Sequence, residues 1–191
     1  PPWERRAVGD AGVEVQVGQA DFSKEWTTAE LLPDLKNGLK ERKYERGRRM
    51  YAEALCIKCH YFNGAGTEIG PDLTSAPFRL STRKILESII EPNKIIGDPY
   101  STQLLTLRNG EKTSGRILCE TNGKYQFAPD PAKPGDFVDV HKDSVISVSK
   151  STTSIMPEKL LRSYDREEIL DLMAYILSGG DPGDKIFQRE P

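Results

Sequence analysis

The sequence is poor in the residues that build cross-linked or metal-clustered scaffolds. Its 191 residues include three cysteines, two histidines and three methionines. Three cysteines are too few, and the wrong parity, for a disulfide framework. No apolar run approaches the roughly 20 residues that a membrane helix needs. The best stretch, Ile169 to Leu177, is short and contains Asp171. Charge of one sign is also lacking: 27 Lys+Arg against 29 Asp+Glu leave a formal net charge of −2. A general nucleic-acid binder would carry a marked basic excess. No paired carboxylates, nucleophile motif or phosphate loop stands out, so nothing points to a hydrolase. Hydrophobic residues at 37% still suffice for a core, in one domain or two small ones.

Two of the three cysteines stand together. Cys56, Cys59 and His60 form the string C-I-K-C-H, the attachment signature of c-type haem. The chemistry explains the spacing. Two thiols add across the two vinyl groups of a porphyrin edge, and the adjoining imidazole reaches the iron. A zinc site would need a second ligand pair, and only His141 and Cys119 remain. A thioredoxin-like redox motif gives no role to the histidine and wants a βαβ setting. The reading is therefore one haem c, held through Cys56 and Cys59, with His60 as the proximal iron ligand. Covalent haem attachment implies a periplasmic or otherwise exported chain. The start at Pro1-Pro2 shows no charged n-region or apolar h-region, so a signal is expected to be absent from this sequence. Cys119 reads as a small apolar residue at a strand end.

Texture along the chain changes twice. Residues 1–38 read as an N-terminal arm or linker, with alternating Val13, Val15 and Val17 and a short helix opened by Thr27 and Glu30. Leu39 to Leu55 predicts a helix whose inward positions are Gly47, Met50, Tyr51, Ala54 and Leu55. Gly47 in mid-helix costs about 1 kcal/mol relative to Ala, which close approach of another helix would justify. The partner is the amphipathic helix Asp165 to Ser178, capped by Asp165, ended by Gly179-Gly180 and apolar along Ile169, Leu172, Met173, Ile176 and Leu177. Asn63 to Pro77 is a Gly- and Pro-rich loop, and Ser81 to Ile90 is a third helix. Between Tyr100 and Lys150 come five short β-like runs parted by turn signals such as Asn109-Gly110 and Asn122-Gly123. Their pattern resembles the Sm/SH3-like barrel class.

Over roughly residues 39–96 and 150–180 the chain resembles a class I cytochrome c. Gly47 and Tyr51 precede C-I-K-C-H as a Gly and an aromatic do in that family. Gly70-Pro71-Asp72-Leu73 matches its G-P-x-L loop, Ser154-Ile155-Met156-Pro157 its Met-Pro segment, and Leu172-Met173-Ala174-Tyr175 its last-helix motif. A closer likeness is to the planctomycete-type haem-binding domain, carried by residues 70–74, 85–96, 100 and 154–158. The departure is the long stretch between His60 and Met156, which the β segment accounts for. The resemblance implies an α+β fold: a class I cytochrome c helical haem domain (39–97 and 150–182) with an inserted small antiparallel β-sheet or barrel (98–149) and a C-terminal tail (183–191). It also implies that the Pro71 carbonyl accepts the proton of the other His60 ring nitrogen, and that Met156 is the second axial ligand. A thioether there favours ferrous iron. His141 is the rival for that position. Met50 and Met173 read as core.

The expected function is an electron-transfer module, not an enzyme, passing single electrons to or from a redox protein or a fused dehydrogenase domain. The alternative is a haem enzyme or a gas or redox sensor with an open distal site. A third reading makes the β segment an interaction module. The stretch from Lys36 to Arg49, with seven basic and two acidic residues, reads either as a docking surface for an acidic redox partner or as a solvated helix face.

Overall fold

In the computed structural model, which describes residues 24–37 and 39–188, helix α1 (Thr28–Asn37) begins where Thr27 and Glu30 predict. Thr27 Oγ1 accepts from the Glu30 N–H at 3.2 Å, and the Glu30 carboxylate accepts from the Thr27 N–H at 2.9 Å. This reciprocal cap satisfies donors that the first turn would otherwise leave orphaned. The Val13–Val17 run lies outside the described residues. Helix α1, which the sequence division groups with the arm, buries Leu31 and Leu35 in the same apolar cluster as the later helices.

Helix α2 (Tyr44–Glu53) is shorter than the expected Leu39–Leu55 span at both ends. Glu41 takes a left-handed φ of 54° and Lys43 an extended N-cap conformation, which keeps residues 39–42 out of the helix. Leu55, at φ 61°, breaks it one residue before Cys56. Gly47, Met50, Tyr51 and Ala54 are buried as expected, whereas Leu55 is 55% exposed because its left-handed turn points it off the helix face. Helix α3 (Ala76–Arg79) is a single turn that begins inside the stretch that reads as loop. Helix α4 (Thr82–Ile90) is capped by Ser81. Helix α5 (Arg166–Leu177) carries a full capping box between Asp165 and Glu168. It is buried all round from Ile169 to Ile176, Asp171 included, where sequence periodicity predicts one apolar stripe.

Helices α2 and α5 form the principal packing of the helical body. Their crossing is tight at Gly47: a Cβ built there would overlap the Asp171 carbonyl oxygen and lie 2.8 Å from the Tyr175 Cβ. Close approach offsets the helix-propensity cost of that glycine. Around the crossing, Tyr51, Phe62 and Tyr175 meet with ring centroids 5.2–5.7 Å apart. Tyr44 joins Tyr175 at 5.4 Å, and Phe187 from the C-terminal segment covers Tyr44 at 5.3 Å. Each such pair adds about 0.5–1.5 kcal/mol beyond area burial.

The β segment is a five-stranded antiparallel sheet: β1 (Gln103–Leu107), β2 (Lys112–Thr121), β3 (Lys124–Ala128), β4 (Val138–His141) and β5 (Val145–Lys150), in the order β4-β3-β2-β1-β5. All five expected runs are strands. Thr106/Leu107 and Ile117/Cys119 mark register shifts that bend β1 and β2. Leu105, Phe127 and Ala128 are buried here, and none of them belongs to the helical cluster. The first and last strands are neighbours, with Gln103 opposite Lys150 and the Ser151 N–H on the Thr102 carbonyl at 2.8 Å. The chain thus leaves and re-enters the helical body at one place. Among the described residues no helix is long and apolar enough to cross a membrane.

Candidate haem site

Leu55 is the pivot of the site. Its left-handed conformation ends α2 and starts a 3₁₀ turn over Cys56–Lys58. The N–H groups of Cys59 and His60 both return to the Cys56 carbonyl, at 3.1 and 2.9 Å. The turn keeps both thiols within one short loop and sends His60 inward, where it is 9% exposed. Both thiols are free. Burial, reinforced by the neighbouring Cys59, pushes the Cys56 thiol up to about 11.

The following loop wraps this turn. The Gly70 N–H reaches the Cys59 carbonyl at 2.6 Å, the Leu73 N–H the Tyr61 carbonyl at 2.9 Å, and the Thr67 hydroxyl the Lys58 carbonyl at 2.7 Å. Two glycines permit the wrap. At Gly66, with φ 108°, a Cβ would overlap the His60 carbonyl oxygen; at Gly70 it would lie 2.7 Å from His60 Cε1 and 3.0 Å from Nδ1. The ring therefore stands against bare backbone. His60 Nδ1 donates to the Pro71 carbonyl at 2.7 Å. A carbonyl can only accept, so the proton is on Nδ1 and Nε2 holds the lone pair. Burial lowers the affinity of this imidazole for a second proton, partly opposed by the Pro71 bond. Among the described residues no hydrogen bond reaches Nε2.

This donor set fits a porphyrin better than a bare ion. Among the described residues, no three His, Cys, Asp or Glu side chains gather into an ion site. A porphyrin would bring four nitrogens with its iron, so one imidazole and two tethering thiols suffice to hold it. The Tyr51 hydroxyl is buried without a partner among the described residues, and burial, with Cys56 next in weight, raises its pKa.

The structure gathers Cys56, Cys59, His60 and Pro71 through these bonds. Met156 lies on the segment between β5 and α5, half-buried, and outside the helical core cluster. Met50 and Met173 are 1% and 0% exposed within that cluster. His141 is exposed at the end of β4, paired across the sheet with Lys124. A cavity of about 540 Å³ opens where Trp26, Ile89, Ile90, Lys94, Leu160 and Leu161 meet; the two cysteines and His60 do not line it.

Sequence reasoning missed Asp171. Its carboxylate is 1% exposed and accepts from Arg46 Nε at 2.5 Å and from the Lys43 N–H at 3.2 Å, with Arg42 Nε 3.6 Å away. Arg42 also pairs with Glu167 at 2.9 Å, and Arg49 with Glu53 at 3.7 Å. Much of the basic stretch is therefore engaged with α5 and with its own helix. The signal was available, since an Asp within an apolar helix run facing an Arg-rich helix is a buried-pair pattern.

With this geometry in hand, the comparison with known families is specific. No curated protein matches the chain. The sequence model of the cytochrome c family matches residues 44–114, from the start of α2 through the C-I-K-C-H turn, the Pro71 loop and α4 into β2; α5 and Met156 lie beyond it. That match supports a c-type cytochrome domain on this chain, a haem-binding module of the kind that carries electrons.

Proposed function

We propose that the chain is an electron-transfer module carrying one haem c through thioether bonds to Cys56 and Cys59, with His60 and Met156 as axial ligands. The observation that carries this reading is the 2.7 Å bond from His60 Nδ1 to the Pro71 carbonyl, on the residue that directly follows the second of two free thiols. That bond fixes the tautomer, aims the Nε2 lone pair and raises its basicity toward a metal. Bound haem supplies reversible one-electron chemistry at its iron. The residues do the rest. Cys56 and Cys59 tether the cofactor edge, and Gly66 and Gly70 let the backbone close on the ring of His60. Burial of His60 sets its imidazole in a low-dielectric environment, while Leu55 and Lys58 of the same turn stay exposed. Met156 is the methionine left outside the core, which suits it to close the second axial position.

In this reading the domain is of class I, most like the planctomycete-type haem-binding domain, with the sheet as an insertion. It is exported, and it exchanges electrons with a redox protein or a fused dehydrogenase. The test is direct. Haem staining on a denaturing gel is expected for the wild type and lost in the C56A/C59A double variant. The ferric protein is expected to show the weak near-infrared sulfur-to-iron band, and M156A to lose it and bind carbon monoxide when reduced. A wild type that stains for haem but binds carbon monoxide readily moves the function to a haem enzyme or gas sensor.

A further inference from the structure

The segment that carries Met156 has no regular secondary structure, yet one side chain holds it at both ends. Asn93 Oδ1 accepts from the Ser154 N–H at 2.7 Å, and Asn93 Nδ2 donates to Glu158 Oε1 at 2.6 Å. Between those points Ser154 Oγ accepts from the Met156 N–H at 3.1 Å. Asn93 itself stands on a braced corner. It follows the buried Pro92 at the end of α4, and Lys94 ties that corner back to Glu87 at 2.6 Å and to Glu91 at 3.4 Å. The Lys94 N–H closes the turn onto the Glu91 carbonyl at 3.0 Å.

We propose that Asn93 is the positioning residue for Met156: its amide clamps the Ser154–Glu158 segment to α4 and so keeps the thioether on the iron. This rests on the haem reading above. The side chain must be an amide of this reach, because one end has to accept from a backbone N–H while the other donates to a carboxylate. A carboxylate at position 93 would keep the first bond and set like charges together at the second. An iron–thioether bond is weak and exchangeable, so a free segment would leave the iron open for part of the time. The clamp supplies the preorganisation that the loop backbone lacks.

The experiment uses the haem-loaded chain and carbon monoxide. Asn93→Ala is expected to weaken the sulfur-to-iron band and to speed carbon monoxide uptake by the ferrous protein at least tenfold. Tenfold corresponds to about 1.4 kcal/mol in the closed population, with haem staining and far-UV circular dichroism unchanged. Asn93→Asp is expected to behave similarly. Adding Glu158→Gln to Asn93→Asp reverses donor and acceptor across the second bond, and should restore uptake to within about twofold to threefold of wild type. Wild-type behaviour in Asn93→Ala overturns the clamp and leaves the haem reading intact. So does a failure of the N93D/E158Q double variant to recover, since the effect would then not run through this bond. A wild type with covalent haem but no sulfur-to-iron band overturns Met156 ligation, and the clamp with it.

Discussion

Gly47 on α2 lies under the backbone carbonyl of Asp171 on α5, at a distance that leaves no room for a methyl group. The contact is with main chain, which cannot rotate away as a side-chain tip would. Gly47→Ala gains about 1 kcal/mol of helix propensity, but overpacking against backbone costs about 3 kcal/mol. The net expectation is a loss of about 2 kcal/mol, roughly 4–8 °C in Tm for a chain of this size. Thermal unfolding of the haem-loaded protein measures it. An unchanged or raised Tm would mean that the helices separate without cost and that this crossing does not limit the fold.

The same turn of α5 carries the buried carboxylate. Asp171 is enclosed by Arg46, Arg42 and the Lys43 N–H, so it joins α2 to α5 electrostatically on the very residue where Gly47 joins them sterically. Asp171→Ala strands two guanidinium groups and one helix-start N–H, and is expected to cost about 3 kcal/mol. Arg46→Ala should cost less, because Arg42 and the backbone bond remain. A double-mutant cycle between Asp171 and Arg46 is expected to show coupling of roughly 1–2 kcal/mol. Additive single and double variants would show that the pair is not one unit.

The local grammar of this chain was legible because each signal has its cause nearby. The Asp165 cap, the Gly179-Gly180 stop and all five strand runs depend on residues within a few positions. The C-I-K-C-H string was legible for the same reason. The helix ends at 39–43 and at Leu55 were not, because left-handed residues such as Glu41 and Leu55 carry no glycine or asparagine signal. Asp171 escaped because its justification lies 125 residues away in the sequence, at Arg46. The same holds for Asn93, whose partners at Ser154 and Glu158 lie across the whole β segment.

The thiols give a prediction with a sign in pH. Burial raises the Cys56 pKa to about 11, so in haem-free protein the thiolate at pH 8 is on the order of one part in a thousand. An ordinary thiol with pKa about 8.5 is roughly a quarter ionised there. Cys56 should therefore alkylate far more slowly than a free model thiol at pH 8, and gain steadily as pH rises toward 11. The linkage has the matching sign. A pKa raised by folding means that the folded state holds the proton more tightly. The contribution of Cys56 to haem-free stability is therefore complete below the ordinary thiol pKa of about 8.5 and is lost as pH climbs through about 11. Mass spectrometry of iodoacetamide adducts against pH checks the rates. Labelling of Cys56 at pH 8 as fast as that of a free model thiol would show that its thiol is not shielded in the haem-free chain.

The β segment is expected to be removable. Its two ends meet: Gln103 faces Lys150 across the β1/β5 pair, and the Ser151 N–H is bonded to the Thr102 carbonyl. The helical cluster draws no residue from the sheet, whose own core is Leu105, Phe127 and Ala128. Excising residues 103–150 and joining Thr102 to Ser151 through two or three glycines replaces a long loop by a short one, and closure entropy depends only weakly on loop length. The identifiable losses are the exposed Asp98–Lys150 ion pair at 2.5 Å, the Gln103 amide's bonds to Ser101, the contact of Arg116 with the Tyr100 ring and whatever apolar surface the sheet covers at the join, for a total of about 1–3 kcal/mol. The Asn93 clamp lies outside the excised residues, so Met156 should keep its place. The shortened chain is expected to stain for haem, to unfold cooperatively and to keep a low-spin spectrum with the sulfur-to-iron band. Haem incorporation with a high-spin spectrum would show instead that the sheet walls the distal side, and that helices and strands build one site together.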